Sequence, residues 1–125
     1  MIALDASALL AFMFREAGHE QVASMIDGSC VSSVNIAEVL GRFSRDGHSA
    51  RRVLKEIQLT PIEMVSFDTA QALVAAELIT TTSALGLSLG DRACLALAIS
   101  RRIPAMTADQ AWTRVNAGID ILLIR

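Results

Sequence analysis

Four acidic residues lie in separate segments of this 125-residue chain, each where a predicted strand or helix begins or ends. Asp5 directly follows the apolar segment MIAL, and Asp109 comes two residues after AMT. Glu38 lies one turn into the helix that follows the second predicted strand, and Asp91 opens an apolar helix. Because the carboxyl ends of parallel strands meet at one edge of a sheet, the four carboxylates are predicted to converge there.

Converging carboxylates repel one another, and the repulsion indicates what they bind. Two of them about 5 Å apart repel by about 3 kcal/mol at an effective dielectric constant of about 20. A hard divalent cation relieves this, because Mg²⁺ and Mn²⁺ accept carboxylate oxygens and water as ligands. The two histidines, His19 and His48, adjoin glycines in predicted surface loops. The two cysteines, Cys30 and Cys94, lack CxxC spacing and are predicted to fill the core, so zinc is not indicated.

Each acid also has a purely structural explanation, and these alternatives stay open at the level of sequence. Asp91 and Asp109 are well placed to cap helices or to charge their first turns. Glu38 has an arginine four residues on, the spacing of a surface ion pair along a helix. Asp5 could cap the first helix, although Ser7 is available for that, and an acid directly after a buried strand is costly unless it is paired.

The elements that would position these acids alternate between short apolar segments and helical patterns. The predicted strands are MIAL, SCVSS, IEMVSF, AMT and GIDILLI. The predicted helices cover about 7–14, 20–26 and 49–57, a segment capped by Ser32 or Ser33, a long AQALVAAELITTTSAL, a buried DRACLALAIS and a segment from Asp109 carrying Trp112. This alternation predicts one domain over residues 1–125, an α/β fold with a parallel sheet between two helical layers.

Composition limits the class of protein further. Apolar residues make up 53% of the chain and the mean hydropathy is +0.48, so every segment is expected to pack. The longest apolar run, residues 93–99, is much shorter than the roughly 20 residues that span a bilayer. The apolar segment ALLAFMF has no basic residue before it, unlike a signal peptide, so we predict a cytoplasmic protein without membrane contact. The net charge of −2 does not indicate a nucleic-acid binder, and such a function would need local chemistry.

The four acidic segments resemble the motifs of a known family. MIALDASALLAF, SSVNIAEVLGRF, LSLGDRACLALA and AMTADQAW are similar, in order and spacing, to the four acidic motifs of PIN-domain nucleases. The similarity is greatest to the toxins of bacterial VapBC toxin–antitoxin pairs, and it runs from Ile2 to the closing GIDILLI. It implies a PIN-like three-layer α/β/α sandwich with a central parallel β-sheet and an acidic pocket that binds Mg²⁺ or Mn²⁺.

The resemblance also implies roles for single residues. The acids that would serve as metal ligands and catalytic groups fall on Asp5, Glu38, Asp91 and Asp109. Ser7 and Thr107 match the family's small hydroxyl residues and are expected to hold the carboxylates in place. The implied function is a metal-dependent endoribonuclease that hydrolyses RNA phosphodiester bonds as the toxin of a type II pair. A VapB-type antitoxin and a second copy of the chain are the implied protein partners.

Basic residues are concentrated in one stretch. Five of the eleven lie between positions 42 and 55: Arg42, Arg45, Arg51, Arg52 and Lys55. They form either a solvated helix surface or a phosphate-binding rim beside Glu38 that would supply RNA affinity. Arg92, next to Asp91, is either a cation in the pocket or a partner for a neighbouring acid.

The first two helices offer a candidate surface for a partner. They carry more apolar side chains than one short hairpin buries against its own sheet: Leu9, Leu10, Phe12, Met13, Phe14, Val22, Met25 and Ile26. Soluble monomers rarely leave such patches open. The family resemblance implies that this region receives the helical tail of the antitoxin, whereas ordinary core packing explains many of the same residues.

Three other classes of protein compete with the nuclease. A phosphoacceptor receiver module also binds Mg²⁺ through acids at strand ends, but it needs two adjacent acids after the first strand and a lysine near the last. This chain has only Asp5 at the first position, and its one lysine is Lys55; Asp68 after the third strand is the sole feature in favour. A haloacid-dehalogenase-type phosphatase needs a second Asp two residues after the first, and this chain has Ser7 at that position. A catalytically silent PIN-like adaptor is the third possibility, and the four intact acids count against it.

Overall fold

A computed structural model describes residues 1–125 and contains a five-stranded sheet. The strands are β1 (Ile2–Leu4), β2 (Ser29–Ser32), β3 (Glu63–Val65), β4 (Ala105–Thr107) and β5 (Ile121–Leu123). The helices are α1 (Ala6–Phe14), α2 (His19–Ser24), α3 (Ser33–Arg45), α4 (Ala50–Gln58), α5 (Thr69–Glu77), α6 (Ile79–Thr82) and α7 (Leu89–Arg101). Three short 3₁₀ helices cover Ile26–Gly28, Ser83–Leu85 and Gln110–Arg114.

All neighbouring strands are parallel, and their order in the sheet is β3-β2-β1-β4-β5. The central strand β1 pairs with β2 on one side and with β4 on the other, so that Leu4 lies opposite both Val31 and Met106. The chain therefore leaves β1 in one direction and later returns to its other side. The gap between the carboxyl ends of β1 and β4 is the switch point at which open parallel sheets form their sites.

Two apolar cores lie on opposite faces of the sheet, because successive side chains of a strand point to opposite faces. Ile2 and Leu4 face the larger core, which also contains buried residues of α1, α2, α3 and α4. Ala3 faces the smaller core, which contains the middle of α7 and the fully buried Trp112. The predicted three-layer α/β/α sandwich with a central parallel sheet is confirmed.

The long helix predicted over AQALVAAELITTTSAL is wrong, because it is divided into α5, α6 and a 3₁₀ turn. The divisions fall at Leu78 and after Thr82, on either side of α6, whose three consecutive threonines donate their hydroxyls to nearby main-chain carbonyl oxygens. Thr80 Oγ1 donates to the oxygen of Glu77 at 3.1 Å, and Thr82 Oγ1 donates to that of Leu78 at 2.7 Å. Such side-chain bonds compete with the helical pattern and disfavour its continuation.

Other boundaries differ by smaller amounts. The helix predicted to begin at Asp109 is a short 3₁₀ helix, and β3 and β5 are each shorter than the apolar segments that predicted them. Ser32, and not Ser33, caps α3, with its Oγ accepting from the main-chain N–H of Val34 at 3.2 Å. None of these differences moves an acidic residue away from the carboxyl edge of the sheet.

Candidate metal centre

Asp5 follows β1 directly and is only 4% exposed. Its Oδ1 accepts from the Ser7 hydroxyl at 2.7 Å and from the main-chain N–H of Ala8 at 2.8 Å. Its Oδ2 accepts from the Thr107 hydroxyl at 2.6 Å. Asp5 is therefore the N-cap of α1, the role that the sequence had left open to Ser7. It forms no ion pair with any residue of the chain.

The environment of Asp5 disfavours its charged form. Burial raises the pKa of this carboxyl to about 6, although the hydroxyls of Thr107 and Ser7 and the N–H of Ala8 act in the opposite direction. The negative charge of Asp91 makes a smaller contribution to the same rise. The site thus holds a carboxylate whose charge is answered by dipoles and by no cation of the chain.

The hydroxyls of Ser7 and Thr107 also join the ends of the two strands at the switch point. Their oxygens lie 3.3 Å apart. The Ser7 oxygen accepts from the N–H of Ala108 at 2.9 Å, and the Thr107 oxygen accepts from the N–H of Asp109 at 3.0 Å. Asp5 is therefore fixed from two sides, by the turn that begins α1 and by the turn that ends β4. The structure gives Ser7 and Thr107 the contacts with Asp5 that an orienting role requires.

Glu38 reaches the same edge of the sheet from α3. The residue is exposed, and its carboxylate is held by a hydrogen bond from Asn35. The Asn35 amide nitrogen donates to Glu38 Oε1 at 2.8 Å and to the main-chain oxygen of Gly90 at 3.0 Å. The carboxylate lies so close to the Cα of Gly90 that a Cβ at that position would overlap it. Glu38 therefore packs against the first turn of α7, next to Asp91.

Asp91 is half-buried in the first turn of α7 and forms a capping box with Ser88. The Ser88 N–H donates to Asp91 Oδ2 at 2.8 Å, and the Asp91 N–H donates to Ser88 Oγ at 3.2 Å. Asp91 thus has the helix-capping role that the sequence offers as its structural explanation. It does not exclude a second role, because only one of the two carboxylate oxygens is used by the cap.

Asp109 differs from the other acids. It is exposed, and its Oδ1 caps the 3₁₀ helix after β4 by accepting from the N–H of Ala111 at 2.9 Å. The structure links it to the others only through its main chain, by way of Thr107. Its side chain forms no hydrogen bond with Asp5.

The buried thiol of Cys94 lies within electrostatic reach of three of the four acids. Burial raises its pKa well above the ordinary value, and the charges of Asp5, Asp91 and Glu38 add to the shift. Three carboxylates therefore act electrostatically on one buried point behind the edge of the sheet, and Asp109 is not among them. The chain does not present a preassembled cage, since no three acidic, histidine or cysteine side chains are grouped closely enough to hold an ion.

The donor set nevertheless fits a hard cation. The converging groups are carboxylates without an internal counter-charge, the ligands that Mg²⁺ and Mn²⁺ prefer. Asn35 supplies a further observation, because its Oδ1 is buried and accepts no hydrogen bond from the protein. An unsatisfied buried acceptor costs about 1–3 kcal/mol, and such groups are commonly explained by an ion or a water molecule at a functional site.

The predicted basic residues are divided by the structure. Arg92 donates to the main-chain oxygen of Ala75 in α5 at 2.9 Å, so it joins two helices and pairs with no acid. Arg42 forms a weak ion pair with Asp46 at 4.0 Å and not with Glu38. Together with Arg45 and Glu38, it lines a cavity of about 470 Å³ on the outer face of α3. Arg51, by contrast, is exposed at the start of α4.

An aromatic group beside Arg42 was not anticipated from sequence. The rings of Phe14 and Phe43 are stacked with centroids 4.8 Å apart, and the guanidinium of Arg42 lies 5.7 Å from the centre of the Phe14 ring. Phe14 is 41% exposed, which is unusual for so large an apolar side chain. The pair joins the end of α1 to the end of α3, a contact between residues 29 positions apart that no local pattern reveals.

The apolar surface predicted on the first two helices is partly core and partly groove. Leu9 and Val22 are fully buried. Phe12 and Met13 line a cavity of about 480 Å³ that is completed by Ala23 of α2, Ile57 of α4 and neighbouring polar residues. Core packing therefore accounts for some of the predicted residues, and a groove between α1, α2 and α4 accounts for others.

Asp68, the one residue in favour of a receiver module, serves as a helix cap. Its Oδ1 accepts from the main-chain N–H of Gln71 at 2.8 Å and thereby begins α5. It belongs to a different strand end from Asp5, separated by the whole width of β2. The structure supplies nothing further in favour of the receiver alternative.

Comparison with known proteins agrees with this geometry. The sequence model of the PIN domain matches residues 2–118, and the chain belongs to the PIN domain family, whose members are generally nucleases. A search of curated proteins by sequence finds no match. No helix of the structure has the length and apolar character needed to cross a bilayer.

Solved structures share the fold at low sequence identity. A chain of a toxin–antitoxin complex from Klebsiella pneumoniae is 13% identical, with a TM-score of 0.78 over 100% of this chain and 98% of that one. A chain of DNA-bound VapBC from Salmonella typhimurium is 18% identical, with a TM-score of 0.77 over 99% and 98%. A chain of VapBC-1 from nontypeable Haemophilus influenzae is 16% identical, with a TM-score of 0.72 over 99% of this chain and 98% of that one. The overlap shows that this chain has the same fold as these proteins.

Proposed function

We propose that this PIN domain is a metal-dependent endoribonuclease and the toxin of a type II toxin–antitoxin pair. The observation that carries the proposal is the environment of Asp5, a buried carboxylate bonded only to hydroxyls and a main-chain N–H, with Asp91 and Glu38 acting on the same buried region. Membership in a family of nucleases supplies the class of reaction. The cation proposed to bind at this edge is Mg²⁺ or Mn²⁺.

Each residue has a distinct part in this proposal. A bound divalent cation would supply a polarised phosphodiester and a water molecule of lowered pKa. Asp5 and Asp91 are the principal ligands, and Glu38 is a ligand or the base that orients water. Asp109, which lies outside the converging group, acts through water or by anchoring the turn after β4. Ser7 and Thr107 hold the Asp5 carboxylate in one orientation.

The RNA would be held beside the acids by the outer end of α3. Arg42 and Arg45 share a cavity with Glu38 and offer charge to phosphates, and Arg51 extends the basic surface onto α4. The exposed Phe14 ring, next to Arg42, offers a face on which a base can stack. Phe14 ends the helix that Asp5 begins, about 13 Å away along the helix axis, which is within the reach of a few nucleotides.

The protein partners follow from the groove and the comparisons. Structures that share the fold are complexes of toxin–antitoxin pairs. We propose that an apolar helix of a VapB-type antitoxin occupies the groove lined by Phe12, Met13 and Ile57, and that the toxin pairs as a homodimer in the cytoplasm. Leu73 and Leu89, which are 63% and 53% exposed, are candidates for that second interface.

Metal dependence of RNA cleavage tests the proposal directly. Purified protein is treated with a chelator, dialysed, and incubated with total cellular RNA with and without Mg²⁺ or Mn²⁺. We expect cleavage only with the cation and its loss on renewed chelation. Cleavage that persists in excess chelator would contradict the metal centre, and a folded protein that binds the cation without cleaving any RNA would favour the silent adaptor.

Induced expression tests the toxin assignment separately. Cells that express the chain without its partner are expected to stop growing, and co-expression of an upstream gene with a DNA-binding head and an amphipathic tail is expected to restore growth. Normal growth with soluble, folded protein would contradict the toxin assignment while leaving the nuclease assignment open to the chelation assay.

A further inference from the structure

We infer that Asn35 and Gly90 form a clasp that positions the Glu38 carboxylate at the metal centre. The inference rests on the proposed function, because it explains how one of the proposed ligands is kept in place. Asn35 is a positioning residue in this scheme, because its amide nitrogen holds the Glu38 carboxylate.

The first part of the clasp is a shared amide group. Asn35 is 1% exposed, and its amide nitrogen donates simultaneously to Glu38 Oε1 and to the main-chain oxygen of Gly90. One side chain on α3 thus joins a carboxylate of its own helix to the first turn of α7, 55 residues away in sequence. Because both amide hydrogens are used, the orientation of the amide group is determined by its partners.

The second part is the absence of a side chain at Gly90. A Cβ there would overlap the carboxylate of Glu38, whereas the backbone of Gly90 is in no conformation that requires glycine. The close approach of the two helices at this point therefore depends on the missing Cβ. Gly90 also directly precedes Asp91, so the carboxylate of Glu38 is brought beside a second proposed ligand.

The clasp also explains a contact that is not made. Glu38 and Arg42 have the i, i+4 spacing that favours a surface ion pair. The structure shows Arg42 with Asp46 instead. Held by Asn35 and packed against α7, the Glu38 carboxylate forms no ion pair with this basic neighbour.

Mn²⁺ titration by calorimetry on the purified, chelator-treated protein tests the clasp. We expect Asn35→Ala and Gly90→Ala each to weaken Mn²⁺ binding by about tenfold, the range for residues that orient metal ligands. Gly90→Ala is the sharper variant, because the atoms that must move are the far end of a flexible side chain and the fold is expected to survive. Gly41→Ala is its matched control, since an added Cβ at this glycine of α3 meets nothing within 4 Å.

A double-mutant cycle separates positioning from a general structural effect. In a Glu38→Gln background, Gly90→Ala and Asn35→Ala are expected to have no further effect on Mn²⁺ affinity, because the group they position is already lost. Single variants that bind as the wild type does, while Glu38→Gln binds more weakly, would overturn the clasp alone. Affinity that neither Glu38→Gln nor Asp5→Asn changes would overturn the proposed centre, and the clasp with it.

Discussion

The two edges of the sheet each carry carboxylates, and the two edges differ in the groups that bind them. At the amino edge, Glu63 opens β3 and accepts two hydrogen bonds of 2.7 Å from the guanidinium of Arg101 at the end of α7. These bonds hold the pKa of Glu63 below its usual value. At the carboxyl edge, Asp5 is bonded to hydroxyls and a main-chain N–H, and burial raises its pKa. The first edge contains its own counter-charge, and the second does not.

This difference indicates at which edge a cation from solution would stabilise the carboxylates. An exposed acid with a bidentate arginine, such as Glu63, already has its counter-charge within the chain, and the pair contributes modestly to stability. A buried acid with two further carboxylates nearby is destabilised in its charged form, and a bound proton or a bound cation relieves this. The helix α7 joins the two edges, with Asp91 in its first turn and Arg101 in its last, an arrangement that the helix dipole also favours. At the end of α7 near Asp5, the guanidinium of Arg92 bonds to the main-chain oxygen of Ala75, so the carboxylates there have no ion-pair partner.

The largest expected effect is on catalysis, and it should appear at one edge only. Asp5→Asn is expected to reduce RNA cleavage by more than about 100-fold, beyond the range for residues that only orient ligands, because a proposed ligand loses its charge. Glu63→Gln is the matched control, an equally small change at the opposite edge, and should leave the rate unaltered. The initial rate with saturating Mn²⁺ measures both. Equal losses in the two variants would indicate a general structural effect.

The second prediction concerns the pH dependence of stability without metal. The folded-state pKa of Asp5 is raised from 3.8 to about 6, so the wild-type fold loses stability as the pH rises between these values and stays at the lower level above them. Asp5→Asn lacks this loss. We expect its unfolding free energy to gain on that of the wild type by about 2 kcal/mol between pH 4 and pH 7.

Urea unfolding in the presence of a chelator, followed at several pH values, measures this gain. A difference between variant and wild type that is flat, or that falls with pH, would mean that the Asp5 charge is well stabilised by the protein itself. The comparison between the two edges would then lose its basis, because neither edge would need an external cation.

The third prediction adds the cation. Mg²⁺ that binds only the folded state at 100 times its dissociation constant is expected to raise the unfolding free energy of the wild type by about 2.7 kcal/mol. Asp5→Asn should respond less, and Glu63→Gln should respond as fully as the wild type. Thermal unfolding with and without Mg²⁺ measures the response. Equal stabilisation of Asp5→Asn and wild type would place the bound cation away from Asp5.

The sequence predicts the gross arrangement of this site because each acid stands at a recognisable point in the order of strands and helices. Asp5 follows a strand of three apolar residues, and parallel strands bring their carboxyl ends to one edge whatever the details of packing. The confirmed α/β/α layers have the same origin, since alternation of strands and helices is visible in the order of the segments. The break after α5 was also visible in principle, as three threonines in a row, but the prediction gave more weight to the surrounding apolar residues.

The clasp could not be predicted in the same way. Asn35 stands three residues before Glu38, a spacing that shows only that the two share a helix face. Its contact with Gly90 depends on how closely α3 packs against α7, which no local pattern reports. The stacking of Phe14 on Phe43 likewise depends on the crossing of two helices. The capping roles of Asp5, Asp91 and Asp109 were foreseen only as alternatives, because capping and metal binding use the same residue type.

The smallest expected effect lies at the amino edge and has the opposite dependence on pH. The pKa of Glu63 is lowered in the folded state, so the ion pair with Arg101 stabilises the fold above the unfolded pKa and ceases to do so as the pH falls through the folded value. Glu63→Gln should therefore be slightly less stable than the wild type at pH 7 and equal to it in acid. Because the pair is exposed, added salt should diminish the difference, whereas the gain of Asp5→Asn should persist in salt. Urea unfolding at low and high ionic strength measures both, and a salt response shared by the two variants would show that the edges do not differ in burial of charge.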